Sequence, residues 1–152
     1  MTEEKLRRLL DACFAAKRIV ETLPELPDGM KPRHIHVLEA IWEQQNHQGF
    51  GRVSDISAQL EITMPSITKL VQELEGMGML KKETDPKDRR VSFLYLTEAG
   101  RDCVERYVTQ FHREWAEALP DISDQQAEEV IQRIARLGET MPGRKEVKYG
   151  SR

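Results

Sequence analysis

Cysteine is nearly absent from this 152-residue chain, with only Cys13 and Cys103, ninety positions apart. Two such thiols make neither a disulfide framework nor a C-x-x-C metal knuckle, and reduced thiols in a cytosolic protein are expected. The four histidines do no better as metal ligands. His34 and His36 are two apart, which on a helix sends them to different faces, and neither His47 nor His112 completes an H-x-x-x-H pair. Long apolar runs are missing too: nothing approaches the roughly 20 consecutive apolar residues of a membrane span. The opening MTEEKLRRLLDACF carries acids where a signal peptide would carry only bases, so a cytoplasmic location is expected. There is no G-x-S-x-G, no P-loop and no glycine-rich dinucleotide turn. No enzymatic chemistry, metal or cofactor is therefore expected.

What is present is an ordinary helix-rich composition, 39% apolar and 32% charged, in a length that suits one domain. The net charge of −3 is unevenly spread. Segment 102–139 holds four bases against nine acids, a balance of −5; segment 64–101 holds seven against six, or +1; residues 140–152 add +3. Acid thus collects late in the chain and leaves the middle free to face an anion.

Apolar periodicity predicts the helices. Leu6, Leu9, Leu10, Cys13, Phe14, Lys17 and Val20 follow one helix face, which ends before the proline-rich TLPELPDGMKP. Pro32 can open a second helix with Ile35, Leu38, Ile41 and Trp42 on its stripe, and NHQGFG ends it. Ser54 is expected to cap a short helix facing inward through Ile56 and Leu60. Thr63 is expected to cap another, with Pro65 in its first turn and Ile67, Leu70, Val71, Leu74 and Met77 inward. Two short helices joined by a turn are a helix-turn-helix, and Gly76 and Gly78 provide its exit. The period then changes. Residues 79–84 and VSFLYL at 91–96 read as strands around the charged tip DPKDRR, a β-hairpin. Thr97 caps a long helix carrying Val104, Tyr107, Val108, Phe111, Trp115 and Ala118, which Pro120 breaks. Ser123 and Gln126 form an S-x-x-Q capping box for a last helix with Val130, Ile131, Ile134 and Leu137.

A pattern over about fifty residues of this middle part resembles the MarR (multiple antibiotic resistance regulator) family. It comprises Ser66 or Thr68, Leu74, Gly78 within LEGMGMLKK, Lys82, Asp88-Arg89-Arg90, and Leu96-Thr97-Glu98-Ala99-Gly100. The resemblance implies a mostly α fold with a small β-hairpin wing, a winged helix-turn-helix at 31–100. Dimerisation helices would lie at 1–30 and 101–140, with a flexible basic tail at 141–152. It implies a homodimeric transcriptional regulator, by family default a repressor relieved by a small-molecule effector, reading a palindromic DNA operator.

The residues support the same assignment physically. Met64, Ser66, Thr68, Lys69 and Gln72 fall on the outer face of the helix after Thr63, and such a helix fits a major groove. Lys82, Lys87, Asp88, Arg89 and Arg90 belong to the hairpin. By resemblance, Arg90 enters the minor groove, where narrow width concentrates negative potential, and Asp88 orients it. Lys82 departs from the family, where arginine is frequent; it keeps the charge and loses the planar fork.

The resemblance also implies a cleft for a small aromatic effector, for which Phe14, His34, Trp42 and Phe111 are the candidates. Some relatives sense peroxide through a first-helix cysteine. Cys13 lies on an apolar stripe, remote in sequence from Tyr95, Tyr107 and Tyr149, so an inert buried thiol is expected and redox sensing through Cys13 is the alternative. A winged helix used for protein–protein contact is the other alternative. The arginine-rich hairpin weighs against it.

Overall fold

In the computed structural model, residues 1–140 are described; the expected basic tail at 141–152 lies outside them. The chain divides into a unit of Met1–Arg113 and a second unit beginning at Glu114.

In the first unit, α1 (Glu3–Val20) starts at Thr2, whose hydroxyl accepts the Lys5 N–H. The next helix, α2 (Pro32–Gln48), has proline in its first turn and stops at Gly49, whose φ of 88° suits a residue without Cβ. It is the hub of the fold, packed by α3 (Val53–Gln59), α4 (Met64–Gly76), β1 (Gly51–Arg52), β3 (Ser92–Leu96) and α5 (Glu98–Val104). Covered on several sides, α2 buries His34, Val37 and Ala40 as well as the expected Ile35, Leu38 and Ile41. Trp42 is the exception and stays partly exposed. Each buried aliphatic side chain here contributes roughly 1.5–3 kcal/mol. Ile56, Ile67, Leu70, Val71, Leu74, Leu80, Leu94 and Leu96 complete the same core.

Strand β2 (Leu80–Thr84) pairs antiparallel with β3, from Leu80 opposite Leu96 to Thr84 opposite Ser92. A third strand, β1, was not expected from the sequence. Two residues are too short for an alternation, and pairing alone makes Gly51 and Arg52 a strand, opposite Leu94 and Phe93 of β3. The sheet order is β1-β3-β2. This strand also corrects the expected start of α3. The chain leaves the sheet directly into the helix at Val53, so Ser54 lies inside the first turn and its hydroxyl contacts Asp55 instead of capping.

After β3, Thr97 caps α5 by accepting the Gly100 N–H. The expected long helix is interrupted by a π-helical segment, Glu105–Gln110, before α6 (Phe111–Glu117), and the division between the units falls within α6. In the second unit, α7 (Asp124–Thr140) follows the reciprocal pairing of Ser123 with Gln126. Neither α1 nor α7 buries a single residue: Phe14 is 73% exposed, and Val130, Ile131 and Ile134 are at least half exposed.

Candidate nucleic-acid interface

The exposed side of α4 follows from how its buried side is held. Ile67, Leu70, Val71 and Leu74 face the core, which turns Met64, Ser66, Thr68, Lys69 and Gln72 outward or to the rim. Thr63 fixes the helix start by accepting the Ser66 N–H. The Thr68 hydroxyl donates to the Met64 carbonyl at 2.8 Å, leaving its oxygen free to accept.

A buried polar link sets the rotation of this helix. His34, with 0% exposure, accepts the Lys31 N–H through Nδ1 at 3.1 Å. Its hydrogen is therefore on Nε2, which donates to Glu73 of α4 at 2.7 Å. Lys31 and Lys69 stand 3.8 and 4.0 Å from the same carboxylate. The His34 hydrogen bond, with Lys31 and Lys69 adding, holds the Glu73 carboxyl below its ordinary value of 4.5. A carboxylate depressed in the folded state contributes stability above its unfolded pKa and loses it as pH falls through the folded one. The stability gap between wild type and Glu73→Gln should thus narrow on acidification below about 4.5, measured by urea midpoints at neutral and acid pH. A gap that keeps its size would rule out this contribution.

The wing is ordered by its own acids. The loop between β2 and β3 closes through Asp85 N–H to the Val91 carbonyl and Val91 N–H to the Asp88 carbonyl. Asp85 accepts the Lys87 N–H at 2.8 Å. Asp88 takes Arg90 in a fork, with Nε to Oδ1 at 3.0 Å and Nη2 to Oδ2 at 3.1 Å, and also accepts the Arg90 N–H. This pairing lowers the Asp88 pKa and raises that of Arg90, so the ion pair persists across the physiological range. Lys87 and Arg89 are exposed at the same tip.

Between α4 and the wing runs an open cleft of about 210 Å³, lined among others by Arg52, Ser54, Thr68, Lys82 and Arg90. The fold therefore brings Thr68 of the helix together with Lys82 and Arg90 of the wing. It leaves Ser66, Lys69 and Gln72 outside that cleft's lining, on α4. Sequence reasoning missed Arg52, because its strand exists only by long-range pairing, and Glu73, whose histidine partner is 39 positions away.

The candidate effector residues are not assembled. His34 is a core residue with both ring nitrogens engaged, which departs from the expectation that it lines a cleft. Phe14 is exposed on α1, Trp42 partly exposed on α2, and Phe111 half-buried. A second open cleft of about 190 Å³ is apolar, lined by Arg33, His36, Leu60, Ile62 and Leu70. Neither cleft includes any of the four. Cys13 is half-buried instead of sealed, because α1 has nothing over its stripe. Cys103 is buried beside Met30, and desolvation raises its pKa. Among the described residues no group of three or more His, Cys, Asp or Glu could hold a metal, and no helix is long and apolar enough to cross a membrane.

The sequence profile of the MarR family matches residues 30–92, the stretch from α2 to the start of β3. Over that stretch the chain is similar to the MarR family. Among curated relatives, the HTH-type transcriptional regulator MhqR of Bacillus subtilis is 26% identical over 140 residues, covering 91% of this chain and 94% of that one. Solved structures that share the fold include two DNA complexes. S. aureus MepR, solved as a DNA complex, has a TM-score of 0.59 at 19% identity, covering 92% of this chain and 98% of that one. Streptococcus pneumoniae FabT, also solved with DNA, has a TM-score of 0.67 at 19% identity, covering 91% and 96%. In Leu96-Thr97-x-x-Gly100, Thr97 caps α5 and Gly100 lies against the backbone of Met79.

Proposed function

We propose that this chain is a DNA-binding transcription regulator, acting as a homodimer on a palindromic site and not as an enzyme. The observation that carries it is the pairing of an outward-facing α4 with an Asp88-ordered Arg90 across one cation-lined cleft. Met64, Ser66, Thr68, Lys69 and Gln72 read or grip the major groove. Lys82, Lys87 and Arg89 meet phosphates, and Arg90, held by Asp88, enters the minor groove. The DNA complexes of MepR and FabT, which share the fold, support this reading. The net charge of −3 does not oppose it, because nine of the acids lie in segment 102–139.

The dimer follows from α1 and α7. Leu9, Leu10 and Phe14 on one, and Val130, Ile131 and Ile134 on the other, are apolar and exposed in a single chain. Burying them across a two-fold axis removes that surface from water and sets two copies of α4 on successive half-sites. Residues 1–30 and 101–140 are thus dimerisation segments and 31–100 the DNA-binding part. The protein works in the cytoplasm, where a small aromatic compound relieves repression.

The test is binding to the DNA upstream of the protein's own gene, by fluorescence anisotropy across a salt series. Saturable binding of two chains per duplex, well above random DNA and falling steeply with salt, is the expected result. Absence of binding to any DNA at low salt would overturn the proposal.

A further inference from the structure

Arg52 has no role in the interface just proposed, yet it is a cation beside it that is held in place without an ion pair. Its backbone is fixed twice, by pairing opposite Phe93 in the sheet and by donating its N–H to Gln44 Oε1 at 3.0 Å. Its guanidinium carbon lies 5.3 Å from the Phe50 ring centroid and 5.7 Å from that of Phe93, and the two rings are 4.6 Å apart. No carboxylate forms an ion pair with it among the described residues.

This combination is informative because of where a guanidinium keeps its donors. Stacking on a ring engages the π face and leaves the N–H groups, which lie in the plane, unspent. A carboxylate partner would instead use those donors. Arg52 is thus held in position without being neutralised, and it lines the same cleft as Lys82, Arg90 and the Thr68 hydroxyl. Of the three cations around this open cleft, only Arg90 is paired among the described residues, with Asp88, and the unpaired Arg52 and Lys82 suit an anion that reaches them from outside. A backbone phosphate of a duplex spanning α4 and the wing is such an anion.

We propose that Arg52, clamped on Phe50 and Phe93, is a phosphate contact of the DNA complex that fixes the register between α4 and the wing. The inference rests on the DNA-binding reading above. Arg52→Ala should weaken binding to operator and random duplex by the same factor, roughly tenfold, and reduce the slope of log affinity against log salt by about 0.9. Arg52→Lys keeps the charge without the planar stack and should restore the slope but not the full affinity. Phe50→Leu leaves the charge and should weaken binding at an unchanged slope.

Thermal melts of each variant check the fold, and Arg52→Gln, which retains a long polar side chain, is assayed alongside Arg52→Ala for the same two readouts. Wild-type affinity and slope in Arg52→Gln or Arg52→Ala, while Arg90→Ala is impaired, would overturn the proposal. So would a loss confined to the operator, which marks a base contact. Failure of the wild type to bind any duplex would instead sink the DNA-binding reading itself.

Discussion

Gly100→Ala should destabilise the protein by about 3–5 kcal/mol, enough to lower its melting temperature by many degrees. Gly100 is helical, so backbone freedom is not the reason; space is. A methyl group there would overlap the carbonyl oxygen of Met79. That carbonyl already accepts the Thr97 N–H at 3.1 Å, while the Thr97 hydroxyl donates to the Gly78 carbonyl at 2.7 Å and accepts the Gly100 N–H at 3.1 Å. The first turn of α5 is thus docked backbone to backbone on the link between α4 and β2. Alanine must lift α5 away, breaking these bonds over the core beneath, or displace backbone at the root of the wing. Gly76→Ala is the control, since a methyl at that helical position meets nothing within 4 Å. It should leave stability unchanged or slightly raised. Denaturant melts of the two variants decide the matter, and a Gly100→Ala midpoint equal to wild type would show that the docking is looser than described.

Arg90→Ala should lower affinity for the operator roughly ten- to a hundredfold, about 1–3 kcal/mol, without changing the melting temperature. The side chain is 90% exposed, so the fold loses almost no packing with it. What the interface loses is a pre-positioned cation. Asp88 holds the guanidinium through two parallel hydrogen bonds, so part of its rotamer entropy is already given up before DNA arrives. Asp88→Ala should therefore show a smaller loss of affinity than Arg90→Ala, since the charge remains and only its orientation relaxes. Anisotropy titrations of both variants at one salt concentration test the order. If Arg90→Ala binds like wild type, the wing has no part in recognition.

How much of this was legible in the sequence depends on the range of the interactions involved. Thr63, Thr97 and the Ser123–Gln126 pair were readable as caps because a cap acts within one turn. The stripe of α4 was readable because its buried side repeats with the helix. Ser54 misled, because its serine matched a cap while strand pairing of Arg52 with Phe93 moved the cap back by two residues, to Arg52. His34 misled for a similar reason. Its aromatic ring suggested a cleft, but only the packing of α2 against α4 reveals that Glu73 claims it.

By itself, the sequence determined the helices of the winged helix-turn-helix, its hairpin wing, the caps at Thr63 and Thr97, and the residue types presented by α4 and DPKDRR. These depend on contacts between near neighbours and on apolar periodicity, which a linear chain displays directly. Tertiary structure alone decided the third strand, the His34–Glu73 link, the convergence of Arg52, Thr68, Lys82 and Arg90 on one cleft, and the contact that requires Gly100 to be glycine. Each joins segments from about twenty to about forty residues apart. Such partners carry no periodic mark, and only the closing of the core around α2 brings them within reach.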